Sequence, residues 1–98
     1  MSYYAVVSHA VDEPDRYNSE YIPGSVALIH KHGGEVLVAG HADVLEGEPA
    51  PVIVVMKFPH KGAFDDFYND PDYQSLKYVR YSLTSNRFMV GSPSADFA

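Results

Sequence analysis

Few side chains in this sequence set a titratable or cationic group in an otherwise apolar segment. His9 and His41 each end a strand-like stretch, and Tyr73 and Arg80 lie on one helical stretch. An unperturbed imidazole titrates near about 6.5, so a strand-end His can serve as a general base. It can equally be a partly exposed or hydrogen-bonded terminus residue. Tyr73 and Arg80 are two helical turns apart and share a face. There Arg80 can hold an anionic group while Tyr73 donates a hydrogen bond. The plain structural alternative pairs Arg80 with Asp72 or another carboxylate and stacks it on a Tyr.

Other candidates have simpler readings. His30 and His32 stand at a helix end with a spacing that puts them on different faces. They make a poor metal pair, and imidazolium beside a helix C-terminus accounts for them. His60 opens a helix with no evident partner. Lys57 sits in an apolar strand, either as a buried base of lowered pKa or, more simply, snorkelling at the strand end. The chain has no Cys, so it has no disulfide, thiolate nucleophile or cysteine metal site. No His-x-x-His, His-Glu-x-x-His or carboxylate cluster of metal-ligand type occurs. No metal and no cofactor is expected, although a haem needs only one His. The glycines match no phosphate-binding loop, and the serines lie in no nucleophile elbow.

The elements that must position these residues follow from pattern. Tyr3 to Ala10 (YYAVVSHA) is β-branched and aromatic, a strand. Asp12-Glu13-Pro14-Asp15 starts a helix that runs to about His32, with Tyr17, Tyr21 and Leu28 on a broad apolar face. Pro23-Gly24 predicts a kink or break, and Gly33-Gly34 the end. Glu35 to Gly40 and Pro51 to Phe58 (PVIVVMKF) read as strands around a turn at Glu46 to Pro49. A helix from Pro59 or His60 carries Phe64, Phe67 and Tyr68. Asp70-Pro71 caps and opens another, which carries Tyr73, Leu76, Val79, Arg80 and Leu83. Asn86 to Gly91 is the last strand. One domain over residues 1–91 is expected, with a tail over 92–98 that is loose or packs as an arm. The helical aromatics are core and interface, or the lining of a pocket for a small aromatic compound.

This order is the split βαβ arrangement of an α+β, ferredoxin-like fold, an antiparallel four-stranded sheet with helices on one face. Val52 to Met56 and Ala5 to Val7 are apolar on both strand faces, which requires cover on both. The helices supply one cover. A two-fold homodimer with sheet packed on sheet supplies the other.

Net charge and composition exclude several partners. The chain carries a formal charge of −6 with only seven Lys and Arg, scattered along its length, which argues against nucleic acid and a polybasic membrane patch. The apolar runs are too short to span a bilayer. Met-Ser-Tyr-Tyr-Ala shows no leader pattern, so a cytoplasmic location is expected.

From Tyr3 to Gly91 the sequence resembles the small uncharacterised proteins catalogued as domain of unknown function 1330, in the dimeric α/β-barrel superfamily. The resemblance rests on Asp12-Glu13-Pro14 with Tyr17 and Tyr21, on His32-Gly33-Gly34, on Gly40 and on Val44-Leu45-Glu46-Gly47. Further carriers are Phe58-Pro59, Phe67-Tyr68-Asn69-Asp70-Pro71-Asp72-Tyr73-Gln74, Arg80 and Val90-Gly91. Two departures are mild, Phe67 where the family often has Trp and Asp72 where it often has Glu. The resemblance implies a dimeric barrel but no particular activity, since that superfamily holds cofactor-free monooxygenases, isomerases, cyclases, haem enzymes and ligand-binding domains.

Two functions are compatible with these residues. One is a small-molecule domain, its ligand between sheet and helices, with cofactor-free acid–base chemistry by His and Tyr. The other is a non-catalytic dimeric module for a small ligand or a protein partner. They differ in whether a titratable group stands beside a hydrogen-bond donor in the cavity. The expected site gathers His9, His41, Tyr73 and Arg80.

Overall fold

In a computed structural model that describes residues 1–95, the N-terminal β-branched run forms strand β1 (Tyr3–Val11). Helix α1 (Pro14–Arg16), a π-helical turn (Tyr17–Tyr21) and helix α2 (Ile22–Lys31) follow without a break. Strands β2 (Glu35–His41) and β3 (Val52–Phe58), helices α3 (Lys61–Tyr68) and α4 (Pro71–Leu83) and strand β4 (Thr84–Pro93) complete the chain. The sheet is antiparallel throughout, in the order β2-β3-β1-β4, the ferredoxin-like arrangement the element order predicts.

The expected kink at Pro23-Gly24 is replaced by an irregularity one turn earlier. Proline has no N–H to give, and its ring crowds the carbonyl four residues back. The helix accommodates this in the π turn, where the Ile22 N–H bonds the Tyr17 carbonyl, five residues behind it. Pro23 then sits at the start of α2, where its missing donor costs nothing.

Gly33 ends the helix in the left-handed region (φ 78°), and Gly34 allows close approach. A Cβ on Gly34 would lie 2.6 Å from the Phe58 ring, so any side chain there forces helix and sheet apart. Asp70 caps α4 by accepting the Asp72 N–H at 2.9 Å. His60, without an evident partner in sequence, caps α3: its Nδ1 accepts the Ala63 N–H at 3.1 Å. His32 accepts no simple helix-end role either. It bonds the Asp70 carboxylate at 2.8 Å, alongside Lys31 at 2.9 Å. Together they hold the Asp70 carboxyl well below the usual carboxylate range.

Ala5, Val7, Met56 and Phe58 point from β1 and β3 into a core shared with Tyr17, Tyr21, Phe67, Tyr73 and Leu83. The opposite face of the sheet is apolar as well. Val6 stands in register between Val55 of β3 and Val90 of β4, with Ile53, Phe88 and Val38 around them. Val90 and Phe88 are 57% and 50% exposed. Lys57 is on this open face, half-buried.

Strand β4 is longer than the sequence suggests. Ser92 and Pro93, the first residues of the expected tail, pair with Tyr4 and Tyr3, and the Ser94 N–H bonds the Ser2 carbonyl. Residues 96–98 of that tail lie outside the described residues. Among the described residues no helix is long and apolar enough to cross a membrane, and no three His, Asp or Glu side chains are grouped to hold a metal ion.

Candidate functional site

A cavity of about 390 Å³ opens between the helical run 14–31, the sheet and α4. Its wall is largely apolar, and its polar groups come from five elements, β1, the π turn, α2, β2 and α4. His9 arrives on β1, opposite an irregularity in the ladder with β4. Two residues of β4, Asn86 and Arg87, stand there against one of β1. Asn86 takes φ 51° in this bulge, a conformation Asn tolerates better than most side chains. Arg80 and Tyr73 arrive from one face of α4, as their spacing predicts. Tyr17 and Tyr21 come from the π turn, whose wider winding sets both on the buried side.

The groups are joined in pairs. The Tyr17 hydroxyl lies 3.0 Å from His9 Nε2, and the Tyr21 and Tyr73 hydroxyls are 2.8 Å apart. The Tyr17 and Tyr21 rings pack at 5.3 Å between centroids. Burial is the first cause that pushes the Tyr17 phenol up to about 12 and raises Tyr73 further. Both are neutral hydroxyls in any ordinary buffer.

Arg80 is the only buried Lys or Arg among the described residues. Lys31, Lys61 and Arg16 are exposed, and each holds a carboxylate. Arg80 is 3% exposed and has no ion pair among the described residues, and its Nε and Nη1 have no hydrogen-bond partner. The expected structural partner, Asp72, is exposed and not bonded to it. Tyr81 offers a ring 5.2 Å from the guanidinium, a cation–π contact of modest strength. A buried cation left this way is costly unless something anionic completes it.

His9 is 1% exposed and its Nδ1 is also unpartnered. Its pKa falls from 6.5 to about 4, first through burial, then through the charges of Arg80 and Arg87. The unfolded chain therefore takes up a proton that the folded one refuses between those two values. Stability should fall as pH drops from about 6.5 to about 4 and lose nothing further to this group below that. Imidazole nitrogen shifts check it: the His9 ring should be neutral at pH 5, and a titration midpoint above 6 would refute its burial beside a free guanidinium.

Three of the four residues expected to converge do so: His9, Tyr73 and Arg80. His41 does not. It lies on the exposed edge strand β2 and lines a neighbouring hollow. The π turn and the Tyr17–His9 pair escape a sequence reading, because helical spacing marks Tyr17 and Tyr21 as core, interface or pocket lining without showing which polar group each meets. His30 and Glu35, exposed at the rim of the cavity, have no sequence signal pointing there.

Solved structures share this fold. A protein of unknown function from Rhodopseudomonas palustris, RPA0582, matches with a TM-score of 0.79 at 17% identity over 97% of this chain and 83% of its own. A dimeric ferredoxin-like protein of unknown function from Jannaschia sp. matches at 0.70 and 16%, over 96% of this chain and all of its own. The cofactor-independent oxygenase SnoaB from Streptomyces nogalater (mutant N63A) matches at 0.71 and 10%, over 97% and 94%. At such identities they are similar in fold alone. No match to a curated protein was found. Across residues 2–91 the sequence matches the family described as Domain of unknown function (DUF1330), and the chain belongs to that family.

Proposed function

We propose that this protein binds a small organic anion with an apolar body in the cavity between sheet and helices, as a homodimer packed through its open sheet face. The single observation behind it is Arg80, a buried guanidinium with unpartnered nitrogens at the wall of an apolar cavity. A carboxylate oxygen pair suits the planar fork of Arg, and the apolar wall suits a ring or chain. The Tyr73–Tyr21 hydroxyls offer a neutral donor beside the charge. Dimers among similar folds and the apolar outer face formed by Val6, Val55 and Val90 support the assembly.

The His9–Tyr17 pair favours a second reading, in which the bound molecule also undergoes proton transfer without a cofactor. An anion on Arg80 offsets the second cause of the lowered His9 pKa, the Arg80 charge, and leaves the first, burial, in place. It thereby raises the basicity of His9 toward the range useful to a general base. The similar fold of a cofactor-independent oxygenase is compatible with this, by analogy of fold.

Calorimetry with matched pairs of small aromatic carboxylates and their primary amides tests the binding. The carboxylates should bind at least about tenfold more tightly, the loss expected when a charge-assisted hydrogen bond becomes a neutral one. Their binding should also move the His9 titration upward. Equal affinity for acid and amide would end the proposal. A carboxylate preference with an unmoved His9 would leave binding alone and remove the proton-transfer reading.

A further inference from the structure

Resting on the anion site at Arg80, we infer that the ligand is elongated: its charged end sits at Arg80 and its apolar end runs past Ile22 into a second hollow beside β2. That hollow, of about 350 Å³, shares Tyr17, Ile22, Ala39 and Val54 with the first cavity. The strand register sets the two in line. The first is floored by Val36 and Met56, a paired position in the β2–β3 ladder, and the second by His41 and Val52, paired farther along it. The two floors are offset along β3 by the four residues from Met56 to Val52, but His9, beside Arg80, pairs with Val52 itself, so the charged end is separated from the outer hollow across the strands, from β1 and β4 toward β2, and not along them. On the facing helical run the order is the same, Ile29 and Ser25 over the first hollow, Ile22 and Tyr17 over both, Asn18 and Pro14 over the second. One groove therefore has its cationic end within the core and its apolar end near the sheet edge.

Chemistry fixes the direction. Arg80 lines only the inner hollow, and no Lys or Arg lines the outer one. Its wall there is Ala10, Val11, Pro51 and Val52, with Asn18 and His41 as its polar residues. An amphipathic monocarboxylate, a medium to long acyl chain or a body of linked rings, matches both ends. A compact acid of one small ring would leave the outer hollow unused.

Straight-chain alkanoates from butanoate to tetradecanoate, kept below their micellar concentrations, provide the test by calorimetry. With the wild type, affinity should rise about three- to fourfold per methylene until both hollows are filled. Val52→Phe and Asn18→Trp, which narrow only the outer hollow, should leave butanoate binding unchanged and halt the rise at a shorter chain. In the wild type, the terminal methyl of dodecanoate should show nuclear Overhauser contacts to Val11 and Val52. Levelling-off of the wild type at the same length as both variants would overturn the inference, and so would an equal rise in all three. Either result leaves short-chain binding at Arg80 standing. Failure of every alkanoate to bind, or binding unchanged in Arg80→Met, would instead remove the anion site, and this inference with it.

Discussion

Arg80→Met should abolish carboxylate binding while leaving the protein folded and at least as stable as the wild type. Two charge-assisted hydrogen bonds to a carboxylate, each about 1.5–3 kcal/mol, set the loss at on the order of a hundredfold or more. The sign of the stability change is the more telling half. In the ligand-free protein the guanidinium is buried with Nε and Nη1 unpartnered, so methionine of similar length removes a buried charge and gives up only the modest cation–π contact with Tyr81. Comparable replacements are neutral or stabilising by about 1–4 kcal/mol. Urea midpoints measured beside the binding isotherms check both halves. A loss of about 3 kcal/mol or more would mean Arg80 belongs to a structural pair, with any fall in affinity merely following the fold. Arg80→Lys should fall between, since it keeps the charge and loses the fork.

Val90→Lys should convert the proposed dimer into a folded monomer. In one chain Val90 is 57% exposed on an outer strand, and a substitution of that kind changes monomer stability by about 0.5 kcal/mol or less. In a two-fold interface it counts twice, and each ammonium must be dehydrated at a cost of several kcal/mol. The dimer should weaken by at least about a thousandfold, on the same penalty. Light scattering at micromolar concentration should show the mass fall from twice 10.9 kDa to that of one chain. A wild type already monomeric would remove the proposed assembly. A Val90→Lys protein still dimeric would move the interface to another surface.

How much of this was legible in sequence depends on the range of the interaction. Pro51 to Phe58 declares itself a strand apolar on both faces, because composition and the two-residue period act locally. Tyr73 and Arg80 share a wall because helical spacing is local too. His9 is reachable as a strand end. His41 fails by the same rule: it closes β2 and His9 stands two residues before the end of β1, but β1 is interior and β2 is the edge, and strand order is settled by pairing, not by the segment itself. β2 also carries an extra residue near Leu37, between Val36 and Val38, which no local pattern marks. Asp70 was legible as a cap, whereas its bonds to Lys31 and His32 join helices 38 and 39 residues apart. That Arg80 lacks a carboxylate could not be read at all, since Asp72 and several others were within plausible reach along the chain.

The π turn from Tyr17 to Tyr21 also works as a phase shifter. It holds one residue more than an α-helical turn would, so every residue after it is rotated by about 100° from where an unbroken α-helix would put it. The long helical run thus carries two azimuths. Before and within the turn, Tyr17 and Tyr21 address His9 and Tyr73. After it, Ser25 and Ile29 address the floor of the cavity. The hydroxyl wall and the packing wall can therefore be aimed independently, by a length change rather than by a change of residue type. A natural chain of this fold that is one residue shorter between Pro14 and Ile22 would keep its helix and its sheet contacts downstream, and lose the line of sight from Tyr17 to His9.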